Sequence, residues 1–371
     1  MKNIVVFTYG DSADPAVWSN VPYLFTEALI KKGYNVVRVD MSVKRTLFDC
    51  LYTVLVKMIK PNTTFYHVRN IFTRRRVEKK IKAAVEKYDE MADLYISISY
   101  DFSPSKFTKK KVLLFSDWPI EYAIEKRFDR KIDFLEKQDI LRHKDVIESA
   151  TYRVSLFKDV ALYMNERFKG KTYYLGGLIN SFYPLEGFDE IKNRNYITFI
   201  GKSAYKKSAI KLIEAFNLLN DDRFELHIIG MTKKDFPHVT NDNIYFHGYL
   251  DKGKEKDKEL YYQILKKTFV VVNTLEKWAG MSSIMEAMYY YRPVITSSYD
   301  EFVKTFGKKI NFGYYASNDA TDICEALRKM TSLDSDSYKR LAINSHEAVQ
   351  DYTYDAYIDK VMKLVNEKEK K

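Results

Sequence analysis

"FVVVNTLEKWAGMSSIMEAMYYYRPVIT", residues 269 to 296, is an apolar run, a polar loop, an apolar stretch at helical spacing and a second apolar run opened by Pro293. A short continuous apolar run bounded by turn formers reads as a strand buried on both faces. The segment is therefore strand, loop, helix, strand, the repeat of a parallel sheet covered by helices. Glu286 does not suit a plain core helix, because Ile284, Met285, Ala287 and Met288 surround it in sequence. A carboxylate buried without a partner is costly, so it either lies on a solvated rim or is met by hydrogen-bonding groups.

The same alternation runs outward in both directions. Before the segment come "YITFIG" (196 to 201), a helix over 206 to 219, "FELHIIG" (224 to 230), "NIYFHG" (243 to 248) and a helix over 257 to 267. An earlier series opens with "NIVVF", a loop, the helical "VPYLFTEALIKKGY" closed by Gly33, and "NVVRVD". It continues through "ADLYISIS" (92 to 99), "KVLLFS" (111 to 116), "YRVSLF" (152 to 157) and "KTYYL" (171 to 175). The polar stretch "PLEGFDEIKNRN", with Pro184 and Gly187, separates the two series. The boundaries expected are a first domain over 1 to 183, a linker over 184 to 195 and a second domain over 196 to 345. A C-terminal helix within 346 to 371 packs back on the first domain. Ligands of such sheets bind beyond the carboxyl ends of the strands.

A chain of 371 residues suits two domains better than one core. With 46% hydrophobic and 30% charged residues it has enough apolar surface to bury, which excludes a disordered chain. The net charge of +11 favours a phosphate-bearing partner or an anionic surface. Cys50 and Cys324 give neither a disulfide framework nor a metal spacing and fit a reducing compartment. The run "IVVF" near the start is too short for a signal peptide, and no stretch approaches a spanning helix. The expected location is cytoplasmic. "LFDCLYTVLVKMI" (47 to 59) suits a core helix or one lying on a membrane, and the basic, aromatic "FYHVRNIFTRRRVEKKIK" (65 to 82) follows it. Peripheral contact with the inner face of a membrane through 47 to 82 is thus an alternative to an ordinary helix with a solvated face. The six histidines lack ligand spacing, and Asp11 and Asp14 read as turn residues, so no metal is expected.

Two segments carry chemistry. In "IGKSAYKKSAIKLIEAF" (200 to 216) a strand ends at Gly201, and Lys202, Lys206 and Lys207 surround a helix start whose free N–H groups favour an anion such as a diphosphate. The plainer reading is a solvated lysine-rich face. In the opening segment, Gly280, Ser282 and Ser283 stand at a helix start, and Glu286 one turn inside can accept hydrogen bonds from vicinal hydroxyls. Its plainer reading is a carboxylate stabilised by the helix dipole. Asp117 and Trp118 follow a strand, and Asp117 either faces a ligand or caps a helix over 120 to 127.

In this order the two segments resemble the donor-binding domain of the retaining family 4 glycosyltransferases. That family carries a basic residue after the strand glycine, a lysine five positions on, and a glutamate followed by Ala-Met, a short helix and Pro-Val. Here these are Lys202, Lys207 and Glu286 with "EAMYYYRPVI". "YLGGLINSFYP" (174 to 184) resembles the family's crossing segment. Residues 7 to 40 are similar to its opening strand, loop and helix, with Ser19 and Asn20 where many members have two glycines near the transferred sugar.

The resemblance implies an α/β chain of GT-B fold, two Rossmann-like doubly wound domains facing a central cleft, the first binding acceptor and the second donor. It implies that Gly201, Lys202 and Lys207 bind the leaving diphosphate and that N–H groups at Met281, Ser282 and Ser283 reach the phosphate or sugar. Glu286 would hold the ribose. Ser19, Asn20, Asp117, Trp118, Glu276 and Trp278 would lie near sugar or acceptor, with Asp117 orienting the acceptor or balancing charge. The sequence departs from the family at Trp278, where a second glutamate is usual and Glu276 is the nearest carboxylate, and at Ser208, where glycine usually follows the lysine.

The function implied is metal-independent transfer of a hexose-type sugar, with retention, from a nucleoside diphosphate to a carbohydrate or lipid-linked glycan in bacterial surface polysaccharide assembly. UDP is preferred to GDP. The nucleotide sugar is a substrate, so no cofactor is expected, and nucleic acid is not an expected partner. The alternatives are a phage-type DNA glucosyltransferase, a sugar-nucleotide epimerase and a non-catalytic GT-B-like partner subunit.

Overall fold

The computed structural model describes residues 2–64, 70–183, 185, 194–277 and 281–367. Its chain forms two compact units, Met1–Gly176 with Tyr354–Lys371, and Gly177–Thr353. The expected linker falls at 184 to 195, of which 184 and 186 to 193 lie outside the described residues.

The first unit runs β1 (Asn3–Thr8), α1 (Val21–Lys31), β2 (Asn35–Asp40), α2 (Leu47–Ile59), α3 (Ile71–Tyr88), β3 (Leu94–Ser97), β4 (Lys111–Ser116), α4 (Ile120–Tyr122), α5 (Phe134–Glu148), β5 (Tyr152–Ser155), α6 (Lys158–Arg167) and β6 (Thr172–Tyr174). Its six strands lie in the order β2-β1-β3-β4-β5-β6. Every pairing is parallel, with β1 between β2 and β3 so that Ile4 faces both Val36 and Leu94. Ile4 to Phe7 are fully buried, which is why the run reads as unbroken rather than alternating. Gly33, with φ +84, ends α1 in the left-handed conformation that glycine adopts at no steric cost.

The second unit runs β7 (Tyr196–Ile200), α7 (Lys206–Leu219), β8 (Glu225–Ile229), β9 (Ile244–Gly248), α8 (Glu255–Lys267), β10 (Thr268–Asn273), α9 (Met281–Tyr289), β11 (Val294–Thr296), α10 (Asp300–Phe306), β12 (Gly313–Tyr315), α11 (Ala320–Thr331) and α12 (Ser335–Glu347). A second parallel six-stranded sheet, β12-β11-β10-β7-β8-β9, results. Its core joins Ile197, Phe199 and Ile228 of the sheet to Leu212 and Phe216 of α7 and Leu327 of α11. Both sheets have the doubly wound, Rossmann-like arrangement expected.

The last helix, α13 (Tyr354–Glu367), belongs to the first unit. Tyr357, Ile358, Val361 and Val365 are buried, and Tyr357 lies against Phe115 of β4 with ring centroids 5.6 Å apart. The Tyr152 hydroxyl donates to Val365 O at 3.1 Å, and Lys32 pairs with Asp359 at 2.6 Å.

The three-residue strand β12 carries no apolar run that would announce it. Gly313 explains its position, since a Cβ there would stand 1.9 Å from Val294 O. Only glycine lets the edge backbone approach β11 so closely. Gly313→Ala is expected to lower stability by about 1–3 kcal/mol through overpacking, read as a lower urea midpoint. An unchanged midpoint would show that the edge strand moves away freely.

Candidate functional site

In the second sheet the order reverses between β7 and β10, one side continuing to β8 and β9 and the other to β11 and β12. At such a switch point two chain exits diverge and leave a crevice at the carboxyl ends. Gly201 and Gly230 pack tightly there. Gly230 has φ +103, and a Cβ on it would stand 2.4 Å from Gly201 O.

Two helices begin at this crevice. Beyond Gly201, Lys202 is exposed, with its ammonium 4.1 Å from the centre of the Tyr249 ring. Lys207 is exposed in the first turn of α7, and no side chain caps that helix. A tight turn over Ser203–Tyr205 leads into it and takes up Tyr205 N with Lys202 O and Lys206 N with Ser203 O, so the positive dipole end and the two lysines are what this start offers to an anion. The buried Ser208 accepts a hydrogen bond from Thr274 N at 2.9 Å and so ties the start of α7 to the exit of β10. On α9, the Ser283 hydroxyl reaches Ile200 O at 3.5 Å, which sets the start of this helix beside the exit of β7. Met281 is buried, and Ser282 and Glu276 are exposed. Trp278 and Gly280 lie outside the described residues.

Sequence reasoning missed a polar group in the same region. Asn273 and Thr296 are register partners at the ends of β10 and β11 and, like Tyr299, are buried. Asn273 Nδ2, Thr296 Oγ1 and the Tyr299 hydroxyl have no hydrogen-bond partner among the described residues. Buried polar atoms left unpaired are costly and suit sites where a ligand or water completes them.

Glu286 is 2% exposed and lies at the centre of a polar network. Lys252 Nζ donates to both of its oxygens, at 2.6 and 2.5 Å, and to Asn180 O at 3.1 Å. The hydroxyls of Tyr261 and Tyr262 each donate to it at 2.9 Å. Burial pushes the Lys252 ammonium below its ordinary pKa against the pull of Glu286, and burial beside this carboxylate raises both phenols. Four bonds take up the lone-pair directions of a carboxylate. A ribose at Glu286 has to displace at least one of them. The partners come from a segment some thirty residues earlier in the chain, so no local spacing announced the pair.

In the first unit, the residue triplet Trp18, Ser19 and Asn20 has φ of 38°, 53° and 71°, all left-handed, immediately before α1. Such a run costs energy in residues with a Cβ, and strained backbone of this kind clusters at functional loops. Ser19 and Asn20 thus hold the conformation that glycines would take freely. At the exit of β4, Asp117 accepts from Trp118 N at 2.8 Å and Ser116 Oγ at 3.2 Å. It does not cap a helix, because α4 starts after Pro119 without a side-chain cap. Burial outweighs these bonds and pushes its carboxyl up to about 6. Trp118 stacks on Phe157 at 5.8 Å beneath the Arg127 guanidinium.

Asp117 and Trp118 line a cavity of about 430 Å³ that also includes Tyr100, Asp101, His143 and Lys57. His143 Nε2 lies 3.3 Å from Asp101 Oδ1. One wall, Thr63 and Thr64, is fastened by Glu136, which accepts from Thr64 N at 2.7 Å and from Arg130. Burial would raise the Glu136 carboxyl, but Arg130, Asp133 N and Thr64 together bring it down to about 2.

Residues 186–348 match the family described as Glycosyl transferases group 1, the segment that holds both helix starts and Glu286. The chain has the GT-B fold, and its second unit carries a glycosyltransferase group 1 domain. Among solved structures, sucrose-phosphate synthase from Thermosynechococcus elongatus is similar with TM-score 0.67 and 15% identity, covering 99% of each chain. The Anabaena protein HepE, solved in complex with UDP and glucose, is similar with TM-score 0.65 and 10% identity over 99% of this chain and 100% of its own. WaaG, a glycosyltransferase involved in lipopolysaccharide biosynthesis, gives TM-score 0.63 and 12% identity, with 99% and 100% covered. No curated protein sequence matches the chain.

Two outcomes follow from these geometries. Glu286→Ala strands the Lys252 ammonium in a buried site and is expected to cost roughly 3–5 kcal/mol in urea unfolding. The double variant Glu286→Leu with Lys252→Met should recover part of that loss, and an equal or larger loss in the double would deny the pairing its importance. For Asp117 the folded pKa of about 6 exceeds the unfolded value near 3.8. The native state keeps a proton that the unfolded chain releases, so this group's contribution to stability falls as pH rises from about 4 to about 6. Asp117→Asn should remove that decline from a plot of Tm against pH.

Proposed function

We propose that the chain transfers a hexose-type sugar, with retention, from a nucleoside diphosphate, UDP before GDP, to a carbohydrate or lipid-linked glycan acceptor. The observation that carries this reading is the convergence of the uncapped start of α7, the start of α9, Lys202 and Lys207 at the switch point between β7 and β10. Two helix dipoles and two ammonium groups at one crevice suit a diphosphate, whose negative charge grows as the bond to the sugar breaks. Stabilising that departing charge is the main task in such a transfer, and in this reading the lysines do so without a metal. Asn273, Thr296 and Tyr299 supply unpaired polar atoms for the donor, and the cavity with Asp117 and Trp118 takes the acceptor. The complex of HepE with UDP and glucose supports a uridine donor, and the role of WaaG supports a surface-glycan acceptor.

A thermal-shift panel of UDP, GDP, ADP and CDP is expected to show stabilisation by one base. Lys202→Ala and Lys207→Ala should each weaken the preferred diphosphate about tenfold or more, since a hydrogen bond to a charged group contributes roughly 1.5–3 kcal/mol, while affinity for the free nucleoside stays unchanged. No shift with any diphosphate would favour a non-catalytic partner subunit.

A further inference from the structure

The helix α2 is amphipathic the wrong way round for a core helix. Leu47, Leu51, Val54, Leu55, Met58 and Ile59 recur at helical spacing on one face, and all are between 57% and 85% exposed. Phe48, also exposed, meets the exposed Phe72 of α3 edge to face at 5.0 Å, which extends the apolar surface to the start of α3.

Polar chemistry holds the opposite face inward. Asp49 is 1% exposed and accepts from Thr46 N at 2.8 Å, Thr73 Oγ1 at 2.9 Å and Arg76 Nη2 at 2.6 Å. These bonds fix the rotation of α2, so its apolar side faces outward. An apolar face of this size marks a docking surface.

Its surroundings select the occupant. Residues 41 to 64 and 70 to 82 contain Lys44, Arg45, Lys57, Lys60, Arg74, Arg75, Arg76, Lys79, Lys80 and Lys82 against only Asp49 and Glu78, ten positive groups to two negative. Asp49 is buried under Arg76, and Glu78 pairs with Lys106 at 3.7 Å. On α3, Arg75, Lys79 and Lys82 are exposed and follow Ile71 and Phe72 at helical spacing, so a basic stripe continues the apolar one. A second copy of the chain would bring this patch against itself and set like charges together. An anionic bilayer accepts both parts, apolar side chains in the acyl boundary and ammonium and guanidinium groups at the headgroups. No described helix is long and apolar enough to cross a membrane.

We propose that the first unit docks on an anionic bilayer through the outward apolar face of α2 and the start of α3. The cavity with Asp117 and Trp118 begins directly after this helix, at Lys57 and residues 61 to 64. A lipid-borne acceptor is therefore the substrate class that docking delivers to it, an extension that rests on the transferase reading above.

The test is co-sedimentation of the full chain with sucrose-loaded phosphatidylcholine vesicles, with and without phosphatidylglycerol. Binding to the anionic vesicles should exceed binding to the neutral ones by about tenfold or more and fall with added salt. Leu55→Asp with Met58→Asp should abolish it without changing Tm or nucleoside diphosphate affinity. Absence of binding to anionic vesicles, or binding unaffected by the double variant, would overturn the proposal. A dimer in solution that the double variant dissociates would overturn it in favour of self-association. Vesicle binding needs no turnover, so its failure is distinguishable from failure of the transferase reading, which the diphosphate panel measures.

Discussion

Parallel pairing constrains this molecule more than any single contact. When every strand runs the same way, each chain exit and each following helix start is collected on one edge of the sheet. The edge is polar without further design, because helix starts present N–H groups that nothing in the helix can satisfy. In the second sheet the close approach of Gly201 and Gly230 brings adjacent exits together, and Ser208 and Ser283 bind the two helix starts to the strand ends. The anion-attracting region is thus a product of topology, which Lys202 and Lys207 strengthen.

Buried carboxylates show how environment decides what a charge does. Glu286, Asp49 and Glu136 each receive a cation and several N–H or hydroxyl donors. Each fastens segments that the sheet does not reach: the tyrosines of α8, the α2–α3 corner, and the loop at 63 to 64. Asp117 receives two hydrogen bonds and, among the described residues, no ion pair, and its proton is correspondingly hard to remove. Three of these acids act as fasteners, and the fourth is left chemically adjustable beside a cavity.

Much of the architecture was legible because continuous apolar runs and helical spacing are local properties. The helix over 206 to 219 and the strand over 111 to 116 have the observed bounds. Gly201 and the lysines after it could be read because strand, glycine and helix start are consecutive. The counter-ion of Glu286 could not, since Lys252 is distant in sequence and reaches it only after β9 and α8 fold. Nor could periodicity say which side of α2 faces inward. Its spacing predicts an apolar stripe, but the direction is set by Asp49 and its partners on α3. The left-handed run at Trp18, Ser19 and Asn20 was marked only by the resemblance, which sets Ser19 and Asn20 where many members have glycine, because residues with a Cβ do not themselves advertise that conformation.

The return of α13 to the first unit bears on how the protein is made. Residues 177 to 353 are continuous and carry their own core, whereas the first unit is split, and its helix α13 follows the whole of the second unit in the chain. Domains on ribosomes usually complete in the order they emerge. Here that order is inverted: the downstream unit has all of its chain first, and the upstream sheet waits with the seat for Tyr357, Ile358 and Val361 uncovered. During that interval the nascent first unit exposes an apolar surface to chaperones, and the arrival of α13 is the event that closes it.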